Sequence, residues 1–470
     1  MAFLERNANR GSISTAAYEI DNSVKLEPDN SESIQRAHGD IGTPTSAKIV
    51  TISFWIKRTE LLASGDHKIF EGAAGGNKTW ISWNNDRLKV KSDFANPQNL
   101  ITTRVFRDCS AWYHICIAID TSQGTAANRV KIYINGVQET AFDTETYPNQ
   151  DNNSYFFESS MAHYIGGVSG GGAGYWAEFY FLDGQVKGPT DFGEFDSDTG
   201  IWIPKAYGGA FGDEGYHIDF EDSSALGADV SGNSNNFGTL TNVAAADQAT
   251  DTPTNNFCTL NPLIKPKYGT NAGGMIEGAT EFGDDTGGGV GGALGTMAVT
   301  AGKWYWEMKL TQQNDHYVGV SAVDDNDNFY ASSDPQDINS TVNFAISAAR
   351  YEYFNGGSKT YGSTDAFTDF HSTGDIISIA LNMDDNQISI YGNGTLQAGV
   401  ANSSLYDAAN KMCVPFHGTI NDTVQYNFGG YSAWTPSSIA NDANGYGSFE
   451  YAPPSGYYAL CTKNLSEFGG

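Results

Sequence analysis

No stretch of this chain longer than about a dozen residues keeps the apolar spacing of a helix before Gly, Pro or a cluster of Asn interrupts it. A chain without helical stripes must bury itself through strands, and strands need alternation. Alternation is what the sequence carries. Trp304 to Leu310 and His316 to Ser321 flank a short polar corner, the pattern of two neighbouring antiparallel strands, each with one buried face. Asn135-Gly136 after Val130 to Ile134 is a hairpin turn dipeptide. Gly at 54 positions and aromatics at 13% suit short strands joined by tight turns. The fold class expected is all-β, with two antiparallel sandwiches of the jelly-roll type.

Taken in order, residues 1–17 carry Arg6 and Arg10 but no periodic pattern, and read as an extended arm. Residues 18–190 hold strands at short intervals, among them Val50 to Ile56, Trp80 to Asn84, Trp112 to Asp120 and Tyr175 to Leu182. Residues 191–260 are rich in turn chemistry and read as a connector, with Tyr216 to Glu221 alternating like a strand. A second sandwich is expected over 261–465, and 466–470 as a tail. The two sandwiches differ in motif spelling and spacing, which argues against an internal repeat.

The motifs Ile52-Ser53-Phe54-Trp55-Ile56, Trp112-Tyr113-His114-Ile115-Cys116 and Val130-Lys131-Ile132-Tyr133-Ile134-Asn135-Gly136, followed by Ile165-Gly166-Gly167, resemble in their order a LamG-like sandwich of the concanavalin A type. Gly302-Lys-Trp-Tyr-Trp-Glu307, Val318-Gly-Val-Ser321, Gly374 to Asn382, Gln387 to Gly394, Val414-Pro-Phe416 and Val424 to Gly429 resemble the strand signatures of SPRY domains. Gly392 and Asn393 depart slightly from the SPRY spelling. The order of the two domains, with the segments 251–257 and 451–465, is similar to tailed-phage virion proteins. That resemblance implies a tail-fibre-like or capsid-decorating protein at the virion surface. It would be made in the host cytoplasm and attached to other virion proteins through an arm carrying Arg6 and Arg10. It would be present as a homo-oligomer and turned toward a host-surface glycan or protein. The alternatives are a lectin with no particle involved and a carbohydrate-active enzyme.

Catalysis would need acids or nucleophiles in a recognisable pattern. Sandwich glycosidases of the laminarinase kind carry Glu-Ile-Asp-x-Glu on one strand face, with one Glu as nucleophile. The nearest counterpart here is His217-Ile-Asp-Phe-Glu221, with His217 at the nucleophile position and the segment expected outside the sandwich. No HExxH, no Gly-x-Ser-x-Gly and no phosphate-binding loop occurs, and His114 reads as structural. The expectation is a protein that is not an enzyme and requires no cofactor. The LamG resemblance implies that calcium can be held at a rim through oxygen ligands. The acidic loop with Asp324, Asp325 and Asp327 supplies the oxygens, though none of its residues matches the family's ligands. Trp80, Trp83, Trp176 and Trp434 are the candidate stacking platforms for a sugar or peptide.

A net charge of -29 excludes a nucleic-acid partner, because phosphate contacts need a basic footprint. No run of 18 or more apolar residues is present, and the first residues carry no signal-peptide core, so neither a membrane span nor export is expected. The five cysteines lack the spacing of a disulfide framework or zinc site and read as buried thiols.

Overall fold

The computed structural model describes residues 18–469 except 29, 62–63, 75, 95–97, 158–160, 169–170, 264–273, 284–289, 313–315, 324–340, 348–349, 356–357, 362–371, 398–402, 405–411 and 421–422. The chain is nearly all-β and divides between Thr254 and Asn255 into two compact units.

The first unit is a sandwich of two eight-stranded antiparallel sheets. The front sheet runs in the order Val137–Gln138, Val130–Ile134, Trp112–Asp120, Ile49–Arg58, Gly174–Asp183, Ser23–Leu26, Gln248–Ala249, with Tyr216–Ile218 also paired to Gly174–Asp183. The back sheet runs Phe142–Thr146, Asn99–Val105, Arg87–Ser92, Asn77–Asn84, Asp66–Ala74, Ala162–Ile165, Ser33–Arg36, Thr239–Thr241. Between them lies one apolar core in which Phe54, Phe70, Trp83, Trp176, Phe179 and Phe181 interlock. Phe54 stacks on Phe179 at 5.2 Å between ring centroids.

Alternation along Ile49–Arg58 sends Val50, Ile52, Phe54 and Ile56 into that core. The opposite row, Thr51, Ser53, Trp55 and Lys57, should meet water, yet all four are buried. Residues 185–254 cover them. Thr51 Oγ1 donates to the Gln185 carbonyl, Ser53 Oγ lies 2.8 Å from His114 Nε2, and Lys57 Nζ lies 2.6 Å from Asp251 Oδ2. Trp202 Nε1 donates to His114 Nδ1 at 3.1 Å, so the His114 proton sits on Nε2 and faces Ser53. The expected connector is therefore corrected. Its residues through Ala249 add strands to both sheets and cover the front sheet, while Phe257 and Leu260 bridge to Cys461 and Gly295 in the second unit. The segment around His217, expected outside the sandwich, is corrected likewise, because Phe179↔Ile218 and Tyr180↔His217 are ladder pairs.

The second unit holds a nine-stranded and a six-stranded sheet. Trp304, Trp306, Met308 and Leu310 from Lys303–Leu310 and Val318 and Val320 from His316–Val323 share its core. These two strands are not paired neighbours as the alternation suggested. Lys303–Leu310 pairs with Ile376–Asn382 and Thr423–Asn427, and His316–Val323 pairs with Thr341–Ser347 and Met412–Ile420 in the other sheet. The corner between them changes sheets. Both faces of Lys303–Leu310 are covered, since Tyr305 packs with Phe257, Phe449 and Cys461 on the side away from the core. The expected tail is corrected too: helix Thr462–Phe468 runs through it, and Phe468 stacks on Tyr458 at 3.9 Å. All five cysteines are buried and none forms a disulfide.

Candidate functional site: the open face of the back sheet

Strand pairing in the first unit aligns two neighbouring rows of the back sheet. One row, Val90, Ile81, Phe70, Ile165 and Ile34, points into the core and is wholly buried. The other, Lys91, Trp80, Glu71, Tyr164, Gln35 and Thr239, points away from it. Lys91, Tyr164 and Gln35 are half-buried, Thr239 is exposed, and Trp80 and Glu71 are buried, so this face reaches solvent at four positions where the matching row of the front sheet is covered.

The charge on this face is unusual for so acidic a chain. Glu71, itself 0% exposed, takes Lys78 at 2.8 Å and Lys68 at 3.1 Å, and accepts the Val168 backbone N–H at 3.0 Å. Asp66 takes Lys89 at 2.8 Å and Asn84 Nδ2 at 2.7 Å. Burial would raise the Asp66 carboxyl, but the hydrogen bonds from Lys89 and Asn84 override it and hold the group below its ordinary value. Burial lowers Lys68 against the pull of Glu71, whereas Lys78 ends above its ordinary value because Glu71 outweighs the smaller burial cost. Gln35 Nε2 donates to Tyr164 Oη at 2.9 Å, and burial followed by Glu71 raises the Tyr164 phenol. The Gln35 amide, the Tyr164 phenol and the half-buried Lys78 and Lys91 ammonium groups form a hydrogen-bonding surface suited to a hydroxyl-rich ligand, with Glu71 beneath holding Lys78 in place.

The tryptophans expected as open platforms are corrected. Trp83 and Trp176 occupy inward positions and belong to the core. Trp80 points outward but is only 5% exposed, because Lys91, Lys89 and Lys68 place their ammonium groups 4.9, 5.7 and 5.9 Å from its ring centre. Trp434 is 8% exposed with Lys309 at 5.9 Å. Asp324, Asp325 and Asp327, Arg6 and Arg10 lie outside the described residues. Sequence reading missed Glu71, Tyr164 and Gln35. They come from three strands, and only the register places them beside Trp80.

A second cluster borders the cover of the front sheet. Glu178 sits at a register shift in Gly174–Asp183 with φ of 52°. Its Oε2 accepts from Tyr18 Oη at 2.7 Å, from His217 Nε2 at 3.1 Å and from Tyr180 Oη. Burial would raise this carboxyl, yet the His217 and tyrosine hydrogen bonds bring it below its ordinary value. Asp219 is raised, chiefly by burial.

With this geometry in place, the matches to known families take on structural meaning. Residues 29–182 match the model of the Concanavalin A-like lectin/glucanases superfamily, and residues 303–431 match that of the SPRY domain. The chain carries a concanavalin A-like domain and a SPRY domain. The SPRY domain of human HERC1 is 18% identical, covers 36% of this chain and 96% of its own, with a TM-score of 0.25. The TRIM65 PSpry domain is 10% identical, covering 36% and 91%, with a TM-score of 0.28. The heptameric SAP-like pentraxin from Limulus polyphemus is 13% identical, covering 36% and 80%, with a TM-score of 0.27. A search of curated proteins gave no match.

Proposed function

We propose that this chain is a recognition protein of a tailed-phage particle, and that the open face of its concanavalin A-like domain binds a host-surface glycan. The observation that carries the reading is the row Trp80, Glu71, Tyr164, Gln35: it is the polar face of a lectin-type sandwich whose other sheet is covered by its own chain. The particle assignment rests on the two-domain order and on its resemblance to virion proteins. Weak single sites on many copies would add through avidity where geometry permits.

Binding to polysaccharide from the host surface, followed by isothermal titration, tests the glycan reading. Gln35→Ala and Tyr164→Phe should each weaken binding about tenfold while melting stays unchanged, as expected for loss of one polar contact in a wet site. Equal binding by wild type and both variants would remove this face from the account. Mass spectrometry of purified particles tests the location, and absence of the chain from them would leave a lectin without a virion role.

One observation favours catalysis instead. Environments push Glu178 down and Asp219 up, the divergence expected of a carboxylate and an acid working together. Against it stand three donors already stabilising Glu178 and His217 in place of a carboxylate. Release of reducing sugar by wild type and its loss in Glu178→Gln would establish the enzymatic reading.

A further inference from the structure

The strand pair Ser23–Leu26 and Gln248–Ala249 aligns Val24 with Gln248, which brings Lys25 and Asp247 to the next position of the ladder. Lys25 Nζ lies 2.9 Å from Asp247 Oδ1 and 3.0 Å from Glu32 Oε1. The three side chains are 1%, 10% and 3% exposed. Lys25, Glu32 and Asp247 by themselves carry one negative charge in excess unless one acid keeps its proton. Glu32 is the group that fits. Burial raises its carboxyl above its ordinary value, and Lys25 only partly opposes this. Its Oε2 also accepts the Glu27 backbone N–H at 2.8 Å and its Oε1 accepts from Asn30 Nδ2 at 3.2 Å, which fix the carboxyl against Lys25. The other oxygen of Asp247, Oδ2, accepts the Ala244 backbone N–H at 2.8 Å.

We propose that Lys25 and Asp247 condense into an intramolecular isopeptide bond, with Glu32 as the group that relays the protons. In a low-dielectric site the ammonium and carboxylate exchange a proton and become amine and acid. The Lys25 Nζ lone pair then attacks Asp247 Cγ, and the Ala244 N–H stabilises the oxyanion that develops on Oδ2. Glu32, which starts protonated, gives its proton to the departing hydroxyl of Asp247 and then takes one from the nitrogen, so it ends as it began. The Nζ–Cγ bond forms, a Cγ–O bond breaks, and one water leaves, so ammonium plus carboxylate give amide plus water without any oxidant or co-reactant. The ladder supplies the driving force, since groups held in contact react as if at effective molarities of about 10⁵ M or more. The bond would tie the first strand of the sandwich to the last.

The test is intact-mass spectrometry of the full chain, with tryptic mapping. The folded wild type should be lighter than its sequence by one water, and a branched peptide should join Lys25 to Asp247. Glu32→Gln removes the relay and should keep the full sequence mass. Lys25→Arg keeps the buried cation and its ion pairs but cannot condense, so it should fold and also keep the full mass. A folded wild type at its full sequence mass after prolonged incubation, or a water loss mapped to other residues, overturns the proposal.

Discussion

Two imidazoles inside the first sandwich are held neutral in the same tautomer. His114 Nδ1 accepts from Trp202, and His163 Nδ1 accepts from Tyr216 Oη while its Nε2 donates to the Phe156 carbonyl. Burial pushes each down to about 3. Below the unfolded value near 6.5 the unfolded chain takes up protons that the folded chain refuses, so stability falls with pH by about 1.4 kcal/mol per pH unit for each histidine. Urea melts of the first unit between pH 7 and pH 4 should show this loss, and their ring resonances should not titrate in that range. Glu307 in the second unit behaves oppositely. Its Oε1 accepts from Tyr305 Oη and the Tyr451 N–H, and its Oε2 from Asn427 Nδ2 and the Glu450 N–H. Burial nevertheless raises the group to about 7. The folded state therefore holds the proton more tightly, and stability drops as pH rises from about 4.5 through 7. Glu307→Gln would set an amide nitrogen against two donors. A loss of about 1–3 kcal/mol in denaturant melts at pH 8 is expected, with release of the segment around Glu450 seen by hydrogen exchange.

The elements show which parts of this architecture the sequence discloses. Period-two runs such as Ile49–Arg58 and Lys303–Leu310 announce strands, and Asn135-Gly136 announces a turn whose φ values of 48° and 80° suit it. Partnership is not local. Nothing in the spelling of Thr51, Ser53 and Lys57 says that Gln185 and Asp251 will meet them, so a polar row with side-chain partners looks the same as a polar row in water. The same limit hid the change of sheet after Leu310, and hid the row joining Trp80 to Glu71 and Tyr164 across three strands. Trp202 tests the cover as an element. Its ring stacks beside His114 at 5.8 Å and leaves no room for a Cβ on Gly136 or Gly193, which would lie 2.4 and 2.6 Å from it. Trp202→Ala should cost about 3–5 kcal/mol in a denaturant melt, since it opens a cavity and takes the donor from His114 Nδ1. An unchanged midpoint would mean that the cover contributes little.

For the whole molecule, the division that matters is between Thr254 and Asn255, not at the end of the LamG-like motifs. The matched family region ends at residue 182, yet residues 185–254 cover the polar row on the front sheet, with Cys116, Tyr180 and Leu182 beside it. A fragment of residues 18–190 would expose that face, strip Lys57 of its ion pair with Asp251 and leave Ser23–Leu26 without its Gln248–Ala249 partner. Lys57 then loses its ion pair to water, and the uncovered aromatics form an exposed apolar patch that favours association. Residues 18–254 keep all of these contacts. The expected outcome is that 18–254 is monodisperse by size exclusion and melts in one cooperative transition, whereas 18–190 aggregates. A soluble, cooperatively melting 18–190 would show that the cover is an addition to a finished sandwich and not part of its core.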